Sequence, residues 1–161
     1  MKKVLVTGGT GFIALHCIAE LLKKKYYVRT SLRTMARKDE IRQSLSKVVN
    51  INNLEFCNLD LLKDEGWDDA TKDCTYVLHV ASPILTKDPN PDVLIKPAVE
   101  GLMRALKSSI KNKVKRFVMT SSVAAISRGS VKEWYDENDW SDVNSKTINA
   151  YSISKTMAEK S

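Results

Sequence analysis

Cysteine is scarce in this chain, and no long hydrophobic run occurs in it. The three cysteines, Cys17, Cys57 and Cys74, stand 40 and 17 residues apart, spacings that fit no zinc or redox motif. Each lies in or beside an apolar segment and reads as a buried thiol in a reducing cytoplasm, so no metal is expected. Lys2 and Lys3 open the chain as a signal peptide would, but only three apolar residues precede Thr7. Neither a secretory nor a membrane-spanning segment is expected. The 26 basic residues exceed the 19 acidic ones, giving a formal charge of +7. Yet the dense runs Lys23-Lys24-Lys25 and Lys111-Asn112-Lys113-Val114-Lys115-Arg116 have no interleaved aromatics. Both fall where a helix gives way to a strand and cations suit the helix C-terminal dipole, so they read as solvated surface, with no nucleic-acid or membrane partner. Repeats and low-complexity tracts are absent too. At 161 residues the chain is long enough for one domain in which helices cover both faces of a sheet.

What stands at the start is more telling. Val4-Leu5-Val6 runs into Thr7-Gly8-Gly9-Thr10-Gly11, and an apolar-periodic segment over 12–22 follows at once. This is the pattern of strand, tight turn and helix. Gly8 permits the turn, and Gly11 lets backbone N–H groups approach a pyrophosphate at the positive end of a helix that begins with Phe12 and Ile13. The spacing Gly8-x-x-Gly11-x-x-Ala14 departs from the commoner G-x-G-x-x-G, though Ala14 is small enough for close helix–strand packing. A dinucleotide site is predicted. The second strand spans 26–33. About 20 residues past the glycines an NAD site usually places a carboxylate, but here Ser31, Leu32 and Arg33 follow, with no acid before Asp39. A guanidinium suits a 2′-phosphate, which favours NADP(H).

Further strands are predicted over 54–59, 75–80 and 116–120, with helices over 39–49, 65–71, 93–109 and 149–160. Pro97 falls near the first turns of the long helix, which the loop 87–92 precedes. Five strands alternating with helices and never forming hairpins imply an α/β fold, a Rossmann-type doubly wound parallel sheet. After the third strand, Asp60 reads either as an acceptor for an adenine amino group, with Leu61 against the ring, or as a helix cap. After the fourth, Val80, Ala81 and Ser82 are small enough to leave room for a cofactor ribose. His79, inside an apolar run without other ligands at metal spacing, reads as a core histidine. The loop 127–142 holds Trp134, Tyr135 and Trp140 among five acids and reads as an active-site flap, or as a cover for the sheet edge.

Tyr151 and Lys155 sit four apart on the last helix and so share a face. A phenol with a pKa of about 10 is a poor proton donor at neutral pH, and a neighbouring ammonium brings it toward the working range. Tyr151 would pass a proton to a carbonyl oxygen, Ser122 would hold that oxygen, and Lys155 would also hold the nicotinamide ribose. The pair means little alone. It gains weight from the glycine turn at the first strand and the serines ending the fifth.

With these residues together, the chain resembles the extended short-chain dehydrogenase/reductases, and within them the dihydroflavonol reductase and cinnamoyl-CoA reductase branch. The resemblance rests on residues 7–13, 28–33, Asp60-Leu61, His79-Val80-Ala81-Ser82-Pro83, 95–101, Thr120-Ser121-Ser122, 135–142 and 151–159. It implies an NADP-dependent oxidoreductase acting on an aldehyde or ketone, with Ser122, Tyr151 and Lys155 as its triad. It also implies that Arg33 grips the 2′-phosphate, with Arg37 or Lys38 as a second base. Family members often dimerise through the long helix and the Tyr/Lys helix, so a homodimer is an expectation here.

Three departures stand out. Ala98 replaces a structural asparagine of related epimerases, and Ser127 stands where plant dihydroflavonol reductases have a substrate-contacting asparagine. The chain also stops at Ser161, six residues after Lys155, in mid-helix, whereas family members are about twice as long. Residues 1–161 are thus expected to form the NAD(P)-binding domain, the fold incomplete at its C-terminus and the substrate-binding part absent. The alternatives are a sugar-nucleotide epimerase or dehydratase and a non-catalytic NADP-binding regulator, which would generally lack the Tyr/Lys pair.

Overall fold

In the computed structural model, residues 2–84 and 90–161 are described, so Lys87, Asp88 and Pro89 of the predicted helix-capping loop lie outside the described residues. The elements are β1 (Lys3–Val6), α1 (Phe12–Lys23), β2 (Tyr27–Leu32), α2 (Lys38–Ser46), β3 (Leu54–Asn58), α3 (Trp67–Thr71), β4 (Tyr76–His79), α4 (Asp92–Lys111), β5 (Arg116–Met119) and α5 (Ala150–Lys160). Short 3₁₀ turns at Met35–Arg37 and Val123–Ala125 complete the set. The chain divides into two compact units: the residues up to Ala81 with Arg104–Thr120, and Ser82–Met103 with Ser121–Ser161.

The first unit holds one parallel sheet in the order β3-β2-β1-β4-β5. Val4 pairs with Val28 on one side and Tyr76 on the other, so the chain winds outward from β1 in both directions. The two-residue period of the strand explains why both faces are covered. Val4 and Val6 pack with Ala14, Ile18 and Leu22 of α1 and with Ile41 and Leu45 of α2. Leu5, between them, packs instead with Trp67 and Ala70 of α3 and Ala105 of α4. Each of the three β1 side chains is fully buried, worth about 1.5–3 kcal/mol apiece. The predicted doubly wound Rossmann sheet is what the chain forms.

Element edges moved where local chemistry competes. The helix predicted to run to residue 49 stops at Ser46, because Lys47 leads into the β-branched pair Val48-Val49 and both amides bond back to the Leu45 carbonyl. Pro97 lies in the second turn of α4, which begins at Asp92. Among the described residues no helix is long and apolar enough to cross a membrane.

Candidate functional site

The glycine turn is braced from its neighbours in the first unit. Gly8 has φ +75°, and a Cβ there would stand 3.0 Å from the Ala81 Cα, so the position demands glycine on two counts. Its N–H donates to Ser31 Oγ (3.0 Å), the Gly9 N–H to the Ser31 carbonyl (2.8 Å), and the Gly11 N–H back to the Gly8 carbonyl (2.9 Å). Gly9 is jammed: a Cβ there would come within 2.3 Å of Thr30 Oγ1. Thr7, fully buried at the end of β1, receives the Val80 and Ala81 N–H groups on Oγ1 at 3.0 Å each and lies 3.1 Å from His79 Nδ1. The ring of His79 is 3% exposed, stacked on Phe117 and near Trp67. The core reading of this histidine therefore holds.

Gly11 is the residue before α1, a helix with no acid in its first turn, and Phe12 and Ile13 beside it are exposed. That leaves a positive helix end facing outward, suited to an anion. At the end of β2, Arg33 is exposed, and its carbonyl is pinned by Asn58 Nδ2 at 3.0 Å. Of the two candidates for a second base, Arg37 is engaged twice by Glu40 at 2.8 Å, while the Lys38 ammonium lies 5.9 Å from the centre of the Phe56 ring. Asp60 Oδ1 accepts the Leu62 N–H (3.0 Å) within its own turn, and Leu61 packs beside the α3 core while its carbonyl accepts from Arg104.

The second unit carries the remaining predicted residues. Asn149 caps α5 by accepting the Ser152 N–H at 2.8 Å, which sets Tyr151 in the first turn and Lys155 one turn later. Lys155 is 6% exposed, with its ammonium 5.9 Å from the centre of the Tyr151 ring. Burial pushes the Lys155 ammonium down, and Glu159 one turn further on acts against that. Tyr151 is half-buried, and among the described residues its hydroxyl has no hydrogen-bond partner. Ser122 Oγ accepts the Ala124 N–H (3.2 Å) and so starts the 3₁₀ turn, leaving the hydroxyl proton available to donate. That turn is tied to α5 and the loop before it, since the Ala125 carbonyl accepts from Ser141 N–H and from Thr156 Oγ1. Ser121 bonds Glu159 of α5. A cavity of about 580 Å³ opens among Ser121, Ser122, Tyr135, Trp140 and Glu159, and Tyr151 stands outside its lining. Of the loop tryptophans, Trp134 is 80% exposed and so covers little, while Trp140 lies under the Lys160 ammonium at 4.6 Å.

Residues 5–161 match the 3-beta hydroxysteroid dehydrogenase/isomerase family. The chain belongs to that family. It is 38% identical over 99% of its length to dihydroflavonol 4-reductase of Arabidopsis thaliana, of which 44% is covered, and 36% identical over 98% of its length to vestitone reductase of Medicago sativa, of which 51% is covered. Among solved structures, the yeast methylglyoxal/isovaleraldehyde reductase complexed with NADPH superposes with a TM-score of 0.85 at 30% identity, over 98% of this chain and 51% of that one. Alfalfa vestitone reductase does so at 0.80 and 36%, over 99% and 51%. The chain spans about half the length of the curated relatives it matches.

Three residues in and beside the glycine turn carry roles that the sequence pattern does not mark. Gly9 has no pattern that marks it, since only the nearness of Thr30 makes its bareness necessary. Ser31 drew notice for lacking a carboxylate, yet its hydroxyl and carbonyl are what hold the turn. Thr7 carried a usable signal, a polar residue at the buried end of an otherwise apolar strand, because a buried hydroxyl implies partners.

Proposed function

We propose that this chain is the cofactor-binding and proton-donating part of an NADPH-dependent reductase of aldehydes or ketones. The observation that carries the reading is the pair on α5, a buried Lys155 with its ammonium 5.9 Å from the Tyr151 ring, in a chain that begins with a glycine turn at the head of a parallel sheet. What supports a pyrophosphate at this turn is that a Cβ built on Gly11 would meet only the Gly8 carbonyl, at 3.3 Å, beside a helix end with no acid in its first turn. Gly8, Gly11, Phe12 and Ile13 would hold the pyrophosphate, Arg33 and Lys38 the 2′-phosphate, and Asp60 and Leu61 the adenine. In the first unit Val80 and Ala81 would line a cofactor ribose; in the second, Ser82, Tyr151 and Lys155 are the residues that would meet the nicotinamide end.

When bound, NADPH supplies the hydride. Tyr151 gives its proton to the carbonyl oxygen, and Ser122 donates a hydrogen bond to the same oxygen, stabilising charge that grows there. The Lys155 cation offsets the negative charge that the phenol oxygen takes on as its proton leaves. The product would be an alcohol. Small carbonyl compounds are the substrate class, in keeping with the aldehyde reductase among the solved relatives.

The test is carbonyl-dependent NADPH consumption by wild type and Tyr151→Phe in a full-length form. The variant should lose roughly 100-fold or more in turnover, the scale of one general acid, while binding NADPH within about two-fold of wild type. Unchanged turnover would remove Tyr151 from the role.

A further inference from the structure

We infer that His79 is a positioning residue of the dinucleotide site: a neutral imidazole whose Nδ1 accepts the Thr7 hydroxyl proton and so aims Thr7 Oγ1 at the Val80 and Ala81 amides. The inference rests on the reading of the glycine turn as a dinucleotide site. Thr7 Oγ1 is in contact with three groups, the Val80 N–H and the Ala81 N–H at 3.0 Å each and His79 Nδ1 at 3.1 Å. A hydroxyl has two acceptor positions and one proton. Backbone amides can only donate, so they take both acceptor positions. The remaining contact is satisfied only if Thr7 donates and Nδ1 is unprotonated. The neutral ring therefore carries its proton on Nε2, because a proton on Nδ1 would bring a third donor to one oxygen.

The direction of that one proton matters for the turn. β4 ends at His79, and Val80 and Ala81 are the first residues beyond it, at the carboxyl end of the strand next to β1. The Ala81 Cα already stands 3.0 Å from where a Gly8 Cβ would be. Where the Thr7 hydroxyl holds this backbone thus sets the room in which Gly8 keeps its positive φ. Packing between Trp67 and Phe117 asks only for a flat or apolar group of suitable size. Orienting Thr7 asks for an acceptor at the Nδ1 position. Asparagine can place its Oδ1 there, and leucine offers none.

The first experiment is ¹⁵N NMR of the imidazole nitrogens of the wild-type chain, which should show His79 Nδ1 bare and Nε2 protonated; the reverse tautomer overturns the inference. The second is amide hydrogen exchange at Val80 and Ala81. His79→Leu should speed exchange there by about tenfold, since these part-buried amides lose part of their acceptor, and His79→Asn should stay within about two-fold of wild type. Equal exchange in all three chains, or equal loss in both variants, overturns it. If His79→Leu does not fold, the wild-type tautomer and the His79→Asn exchange still decide. NADPH affinity should follow the same order, about tenfold weaker in His79→Leu and recovered in His79→Asn. A wild type with the expected tautomer and exchange pattern that binds no NADPH would support the hydrogen-bond assignment and refute the dinucleotide reading.

Discussion

Alanine at Gly8 and at Gly11 should separate folding from cofactor binding. At Gly8 the left-handed conformation costs an L-residue about 1–2 kcal/mol. The new Cβ also meets the Ala81 Cα at 3.0 Å, where backbone must shift, adding about 1–3 kcal/mol of overpacking. The sum, roughly 2–5 kcal/mol, should lower the Tm of a chain this size by at least about 4 °C. Gly11 differs. Its φ of −81° and ψ of 149° suit alanine, so the unfolded chain loses entropy without backbone strain, a gain of about 0.4–1 kcal/mol, from which the tight 3.3 Å contact of the new Cβ with the Gly8 carbonyl subtracts a part. Against this stands a poorer residue before the helix, costing a similar amount. Gly11→Ala should therefore melt within about 2 °C of wild type. Its methyl group would nevertheless occupy the space where a pyrophosphate approaches, and NADPH should bind at least about tenfold more weakly. Differential scanning fluorimetry and calorimetric titration of the same preparations read both quantities. A Gly11→Ala chain that melts normally and binds NADPH as wild type does would refute the placement of the pyrophosphate at this turn.

Arg33→Asp should reverse the cofactor preference, replacing a partner for a 2′-phosphate by one for a ribose hydroxyl; titration with both nucleotides decides, and equal losses for both would make Arg33 a structural residue only. Of the cysteines expected to be buried only Cys74 is fully so, Cys17 and Cys57 being half-buried; partial burial still pushes the Cys57 thiol up to about 12, with Arg29 acting against it. At pH 8 the thiolate fraction is then about 10⁻⁴, so iodoacetamide should leave Cys57 unmodified until denaturant is added, as read by peptide mass spectrometry. Alkylation of Cys57 in the folded chain at the rate of an exposed thiol would contradict that burial.

Much of the fold was legible because its signals are local. The apolar strand before the glycines, the 3.6-residue period after them and the absence of hairpins were enough to imply the sheet. The edges were not legible where a tertiary contact or a weak helix former decides, as at Val48-Val49 after α2. For the site, Gly8, Tyr151 and Lys155 stood out because glycine and titratable residues carry chemistry on their face. Ser31, Thr7 and Gly9 did not, since what they do depends on β1, β2 and β4 lying side by side. That neighbourhood joins residues more than 20 positions apart, which no spacing rule reaches. Equally hidden was the pairing of Arg37 with Glu40, to which it donates two bonds.

The most direct test of the central claim is a calorimetric titration of the 161-residue chain with NADPH and with NADH. Saturable binding of NADPH, at least about tenfold tighter than that of NADH, is the predicted result. Equal affinity for the two nucleotides, or binding of neither, would contradict it.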